Sequence, residues 1–184
     1  MQNRQIMQRI FLIGYMGSGK TTIGKSLSKA MGLQFVDLDL FIENRHRKTV
    51  GQLFAEKGES VFREIERQTL EEIAGFEDII ISTGGGAPCF FDNMELMNRL
   101  GTTVYLKVSE EELASRLILM KQSRPLIKDK NQEELKIFIS ESLRKRESFY
   151  NQAELVFDTE QLLDQKDVDN IVANLVKIMN TMRL

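Results

Sequence analysis

Of 184 residues, one is cysteine, one is histidine, two are proline and none is tryptophan. With Cys89 alone no internal disulfide can form, and a reducing, cytoplasmic setting is expected. As a nucleophile Cys89 lacks a neighbouring base, because the single histidine, His46, is remote in sequence, so the thiol reads as structural. No apolar run approaches the roughly 18 residues of a membrane span. The stretch from Met1 to Arg9 runs into the first apolar segment without an h-region, so no signal peptide is expected. Neither sign of charge dominates: 25 basic residues face 27 acidic ones, interspersed, which leaves no electrostatic footprint for nucleic acid. There is no repeat, low-complexity tract or linker, and the length fits a single domain over 1–184 with a proper core.

What is present begins with Gly14-Tyr15-Met16-Gly17-Ser18-Gly19-Lys20-Thr21, which satisfies G-x-x-x-x-G-K-[ST]. Its context is strand, loop, helix: Ile10–Ile13 is a short apolar run, and Lys20–Met31 has helical periodicity. Glycines let backbone N–H groups converge on phosphate oxygens, and the helix N-terminus adds its positive dipole end. Lys20 supplies a mobile charge and Thr21 a hydroxyl for Mg²⁺. A nucleotide is therefore expected, with its reaction still open.

Further strand-like runs are Phe35–Val36, Ile79–Ile81, Val104–Val108 and Leu155–Phe157. Helical patterns fall at Leu40–Ala74 (several short ones), Asp92–Leu100, Glu110–Met120, Glu133–Phe149 and Asp167–Met182. Capping boxes are expected at Asp92 with Glu95 and at Ser109 with Glu112. Five short buried strands alternating with helices predict a parallel, doubly wound α/β sheet with its site at the carboxyl ends of the strands. The polar, basic segment Met120–Asn131, broken by Pro125 and containing Arg124, reads as a lid.

Asp37 and Asp39 close the second strand, and period-2 spacing predicts both carboxylates on one side, near the phosphates. They can divide the labour of phosphoryl transfer, Asp37 toward the metal shell and Asp39 toward an acceptor hydroxyl. Two acidic residues at a helix start would look the same. Asp158, also ending an apolar run, is a rival metal carboxylate, since Ile79–Ile81 ends in Ser82 and Thr83 rather than an aspartate. Arg63 and Arg146 are planar forks suited to a carboxylate, though arginines so placed on helices often pair with a nearby glutamate such as Glu66. The glycines of Thr83-Gly84-Gly85-Gly86 permit close backbone approach to a ligand.

Together these pieces resemble shikimate kinase, a P-loop kinase family akin to the nucleoside monophosphate kinases. The resemblance runs from Gly14 to about Thr159 through GYMGSGKTTIG (14–24), VDLD (36–39), LFAEKGE (53–59), FREIE (62–66), STGGGA (82–87), RPLI (124–127) and RESFY (146–150). It implies a three-layer α/β/α P-loop NTPase fold with a five-stranded parallel sheet, an acceptor-binding insertion at about 38–74 and a lid at about 120–131. It implies ATP-dependent phosphorylation of the 3-hydroxyl of shikimate, in chorismate and aromatic amino acid biosynthesis, with Mg²⁺ and no macromolecular partner. A monomer is expected.

Residue by residue, the resemblance implies that Gly17, Ser18, Gly19, Lys20, Thr21 and Thr22 wrap the ATP phosphates, Lys20 on the β- and γ-phosphates. Thr21 would bind Mg²⁺ and Asp37 would reach it through water. Asp39 would hold the attacking hydroxyl and accept its proton. Arg63 and Arg146 would clamp the acceptor carboxylate, Gly84, Gly85 and Gly86 would lie against the ring, and Phe54 and Phe62 would pack on it. Glu66 would orient the arginines, and Arg124 would swing in with the lid. Two departures stand out. Ser148 replaces the family's usual proline and is expected to loosen a helix end. An arginine usual after the last strand is missing from Glu160–Leu163, leaving Arg116 as an adenine contact or as a solvated side chain. A kinase for gluconate or a nucleoside monophosphate, and a non-catalytic nucleotide-binding regulator, remain alternatives on the same fold.

Overall fold

The computed structural model describes residues 8–120, 126–160, 162 and 164–182. Five strands, β1 (Arg9–Ile13), β2 (Gln34–Asp37), β3 (Ile79–Ser82), β4 (Thr102–Lys107) and β5 (Leu155–Asp158), form one parallel sheet in the order β2-β3-β1-β4-β5. Side-chain alternation splits the core into two layers. Ile10, Leu12, Ile80, Val104 and Leu106 face α1 (Lys20–Met31) and α7 (Gln165–Thr181). Phe11, Ile13, Ile79, Ile81 and Tyr105 face the other layer. That layer holds α2 (Leu38–His46), α3 (Val50–Ile73), α4 (Asn93–Leu100), α5 (Glu110–Met120) and α6 (Gln132–Tyr150). Strands buried on both faces must be apolar at nearly every position, which is why β1 and β3 read as continuous aliphatic runs.

The expected three-layer α/β/α fold is present, with local corrections. The region 38–74 holds short helical stretches, as expected: α2, then α3, whose 24 residues are interrupted at Gly58, a non-helical residue (φ 78°, ψ 168°). Asp92 does not cap α4 with its side chain; its carboxylate pairs with Arg67 at 2.8 Å. Ser109 accepts from the Glu112 N–H at 3.2 Å, but its own N–H donates to Glu160, so the expected box is half made. Full capping boxes occur instead at Thr49 with Gln52, Asn131 with Glu134 and Asp164 with Asp167. With Ser148 in place of proline, α6 continues unbroken to Tyr150. No described helix is long and apolar enough to cross a membrane.

Candidate active site

The loops after β1, β2 and β3 meet at the carboxyl edge of the sheet, around one candidate cleft. After β1, residues 14–19 turn into α1, whose N-cap is Gly19 in the left-handed region (φ 90°) with no side-chain cap. The first N–H groups of the helix are thus left for an anion, as the motif requires. Lys20 Nζ donates to the Gly14 and Tyr15 carbonyls at 2.8 Å each, folded over the loop it serves. Ser18 is buried and Thr22 sits in the first turn of the helix. The loop is closed from the far side by Arg116, whose guanidinium donates to the carbonyls of Gly17, Thr159 and Glu160 at 3.3, 2.7 and 2.9 Å. Arg116 is therefore not a solvated side chain; it brackets the phosphate loop to the segment after β5.

At the end of β2, Asp37 caps α2 through its contact with the Leu40 N–H and accepts from Thr21 Oγ1 at 2.7 Å. Asp39 does not lie on the strand. It occupies the first turn of α2, so helical turning rather than pleat alternation directs it. Both carboxylates nevertheless belong to the cleft. Asp39 is only partly exposed and closely surrounded by protein, and burial together with Asp37 lifts its carboxyl to about 6, against the opposing pull of Lys20. Asp158 is exposed at the end of edge strand β5 and accepts locally from the Glu160 N–H at 2.9 Å, which removes it as the partner of Thr21.

The triple glycine after β3 is where Asp39, Glu66, Arg63 and Arg146 converge. A Cβ on Gly84 would lie 2.7 Å from Asp39 Oδ1 and 2.9 Å from Glu66 Oε1; one on Gly86 would lie 2.6 Å from Arg63 Nη2. At Gly85 the neighbours are the Gly14 carbonyl and Met16 N–H of the phosphate loop, and Arg146 at 3.6 Å. A side chain at Gly84 or Gly86 would occupy the space that the charged groups use, whereas at Gly85 a methyl group would meet its neighbours at ordinary contact distance. Arg63 is held by Glu66 at 2.8 Å and Glu59 at 3.1 Å, and its guanidinium is boxed by Phe54, Phe62 and Phe90, the last at 4.1 Å. Phe62 is buried and stacks on Phe54, whose ring remains partly open.

Glu66 is 1% exposed, and burial outweighs Arg63 to lift its carboxyl to about 7, with Asp39 adding to the rise. Cys89 is half-buried nearby, and burial pushes the thiol up to about 11, too high for a nucleophile and consistent with a structural role. Tyr150, buried and held protonated, donates to the Gly85 carbonyl at 2.6 Å.

Several contributors were not legible in the sequence. Phe90 completes the aromatic box around Arg63, and only its position beside the glycine run hinted at it. Buried Asn93 donates to the Ala87 carbonyl at 2.7 Å and accepts from Arg67 at 2.8 Å, pinning the turn Ala87–Cys89 that follows the glycines. Arg124 lies outside the described residues. Of the rest of the expected lid, Ile127 is fully buried in the core, so the segment has an apolar anchor that its composition did not advertise.

The family model described as Shikimate kinase matches residues 16–176. A shikimate kinase of Parabacteroides distasonis is 61% identical over 94% of this chain and 100% of its own length. One from Bacteroides fragilis is 52% identical over 95% and 97%. Among solved structures, shikimate kinase from Bacteroides thetaiotaomicron aligns with a TM-score of 0.92 at 50% identity, covering 95% of this chain and 99% of that one. The Acinetobacter baumannii enzyme, solved in complex with shikimate, aligns at 0.83 and 28% identity over 97% and 96%. With the family model spanning most of the chain and relatives matching almost end to end, the chain belongs to the shikimate kinase family.

Proposed function

We propose that this protein transfers the γ-phosphoryl group of ATP to the 3-hydroxyl of shikimate, giving shikimate 3-phosphate and ADP on the route to chorismate and the aromatic amino acids. The observation that carries this reading is the place of Asp39, in the field of Lys20 on its nucleotide side and of Arg63 on its acceptor side, across a glycine that leaves it room. A carboxylate there serves an alcohol acceptor, whereas a phosphate acceptor is already anionic. Two arginines beside the same glycine turn, Arg63 at Gly86 and Arg146 at Gly85, match a substrate bearing one carboxylate.

In this account Gly17 to Thr22 wrap the phosphates. Asp39 accepts the proton of the attacking hydroxyl as its oxygen bonds to the γ-phosphorus and the bond to the ADP oxygen breaks. Arg63 and Arg146 hold the substrate carboxylate, Phe54 offers its open face to the ring, and Phe62 and Glu66 fix Arg63 from behind. Thr21 Oγ1 and Asp37 Oδ2, 2.7 Å apart, are a hard-oxygen pair. They fit Mg²⁺, which keeps several waters and needs few protein ligands. When bound, the ion would neutralise charge on the β- and γ-phosphates. Arg124 would approach the transferring phosphoryl group as the lid closes, which also limits wasteful ATP hydrolysis. The protein is proposed to act as a single P-loop kinase domain, monomeric and cytoplasmic, on small molecules alone.

The test is product identity. Phosphorus and proton NMR of a reaction with ATP, Mg²⁺ and shikimate should show one new phosphomonoester coupled to the proton on C3. A phosphate at another hydroxyl, or inorganic phosphate alone, would contradict the assignment.

A further inference from the structure

Tyr15 belongs to the phosphate-binding loop by sequence, but its side chain does not face the phosphates. The ring is 1% exposed and joins the core layer of α3 to α6, and Arg146 lies over it with Cζ 5.6 Å from the ring centroid. Arg146 itself is only partly buried and, among the described residues, has no salt-bridge partner. Its counterpart Arg63 is fixed by two glutamates and three aromatic rings. The two arginines are thus held by different means. Where Arg63 has two glutamates in contact, Arg146 has the Tyr15 face on one side, Gly85 and Tyr150 nearby, and Glu66 only at longer range.

We propose that Tyr15 is a positioning residue for the second substrate: its ring is the platform that aims Arg146 at the acceptor carboxylate. The proposal rests on the shikimate reading above. A guanidinium over an aromatic face is attracted by the ring quadrupole, and the planar contact limits the rotamers of a long side chain. The backbone on either side of Tyr15 touches the acceptor loop, since the Gly14 carbonyl and Met16 N–H are the nearest neighbours of a Cβ built on Gly85. The residue therefore stands where the nucleotide loop, the acceptor glycines and α6 meet. Its hydroxyl contributes little to this role. Oη is buried with no partner in hydrogen-bonding geometry, although Ser142 lies close by. A buried hydroxyl without a partner costs stability, so the ring is what the site uses.

The experiment is a kinetic and binding comparison of wild type, Tyr15→Leu and Tyr15→Phe with both substrates. Tyr15→Leu should raise KM and Kd for shikimate about five- to tenfold, the range of a lost cation–π contact in a partly desolvated site, with KM for ATP changed less than about twofold. Tyr15→Phe should restore wild-type shikimate affinity and melt no lower than wild type. Tyr15→Met, whose longer and more flexible side chain adapts better to the shape of the site, carries the test should the leucine variant not fold. A rise in KM for ATP equal to that for shikimate would show a role in loop support alone and overturn the proposal. So would unchanged shikimate affinity in Tyr15→Leu, or a phenylalanine variant as impaired as leucine. A wild type inert toward shikimate would instead overturn the functional reading itself.

Discussion

Replacing Gly86 with alanine would place one methyl group against the Arg63 guanidinium. Gly86 has φ −89° and ψ −24°, a conformation alanine adopts freely, so the substitution is not expected to strain the backbone. It should even reduce the entropy of the unfolded chain, by about 0.4–1 kcal/mol. The cost falls on the site. The added Cβ would lie 2.6, 2.8 and 2.9 Å from Nη2, Nη1 and Cζ of Arg63. To reach 3.4 Å the guanidinium must retreat about 0.8 Å. Phe54, Phe62 and Phe90 block easy sideways escape, so the motion lengthens the 2.8 Å bond to Glu66 and moves the fork off the acceptor carboxylate. One charge-assisted hydrogen bond is worth about 1.5–3 kcal/mol, or roughly ten- to a hundredfold in shikimate affinity. Isothermal titration with shikimate, and separately with ADP and Mg²⁺, would measure it. Shikimate affinity should drop by that factor while nucleotide affinity holds. Unchanged shikimate affinity, or an equal loss for both ligands, would refute the placement of Gly86 against the clamp.

Asp39→Asn should preserve ATP binding and lower turnover roughly 10²-fold, through lost proton acceptance and positioning; near-normal turnover in a folded variant would remove Asp39 from the chemistry. Because burial and Asp37 lift Asp39 to about 6, kcat/KM for shikimate should fall tenfold per pH unit below about pH 6, and a profile flat down to pH 4.5 would contradict it. Glu66, lifted from 4.5 to about 7 when folded, holds a proton that the unfolded chain releases, so stability should decline as pH rises from about 4.5 to 7. Glu66→Gln should flatten that part of a melting-temperature profile, and an unchanged slope would place the titration elsewhere.

The central strands were legible because parallel strands covered on both faces must be apolar throughout, and Ile10–Ile13 and Ile79–Ile81 each mark one, whereas edge strand β5 alternates half-buried and exposed positions. Helix α1 was legible to the residue, since the phosphate motif fixes its start and Gly32, in the left-handed region, its end. What failed were local rules overridden from a distance. Asp92 has the sequence of a cap, but Arg67 takes its carboxylate, and Glu160 takes the Ser109 N–H that Glu112 would have used. The spacing of Asp37 and Asp39 suits a strand, yet the chain turns helical between them. Arg116 looked like any exposed helical arginine because its three carbonyl partners lie 43 to 99 residues away. The aromatic neighbours of Arg63 and Arg146, Phe90 and Tyr15, were invisible for the same reason: no periodicity records a contact made only after the sheet has assembled.

The most direct test of the central claim is ADP release by the purified protein with ATP and Mg²⁺, measured in parallel with shikimate, gluconate and AMP as acceptors. The account predicts saturable, acceptor-dependent ADP release with shikimate and background rates with the other two. Preference for gluconate or AMP, or no acceptor-dependent release at all, would contradict it.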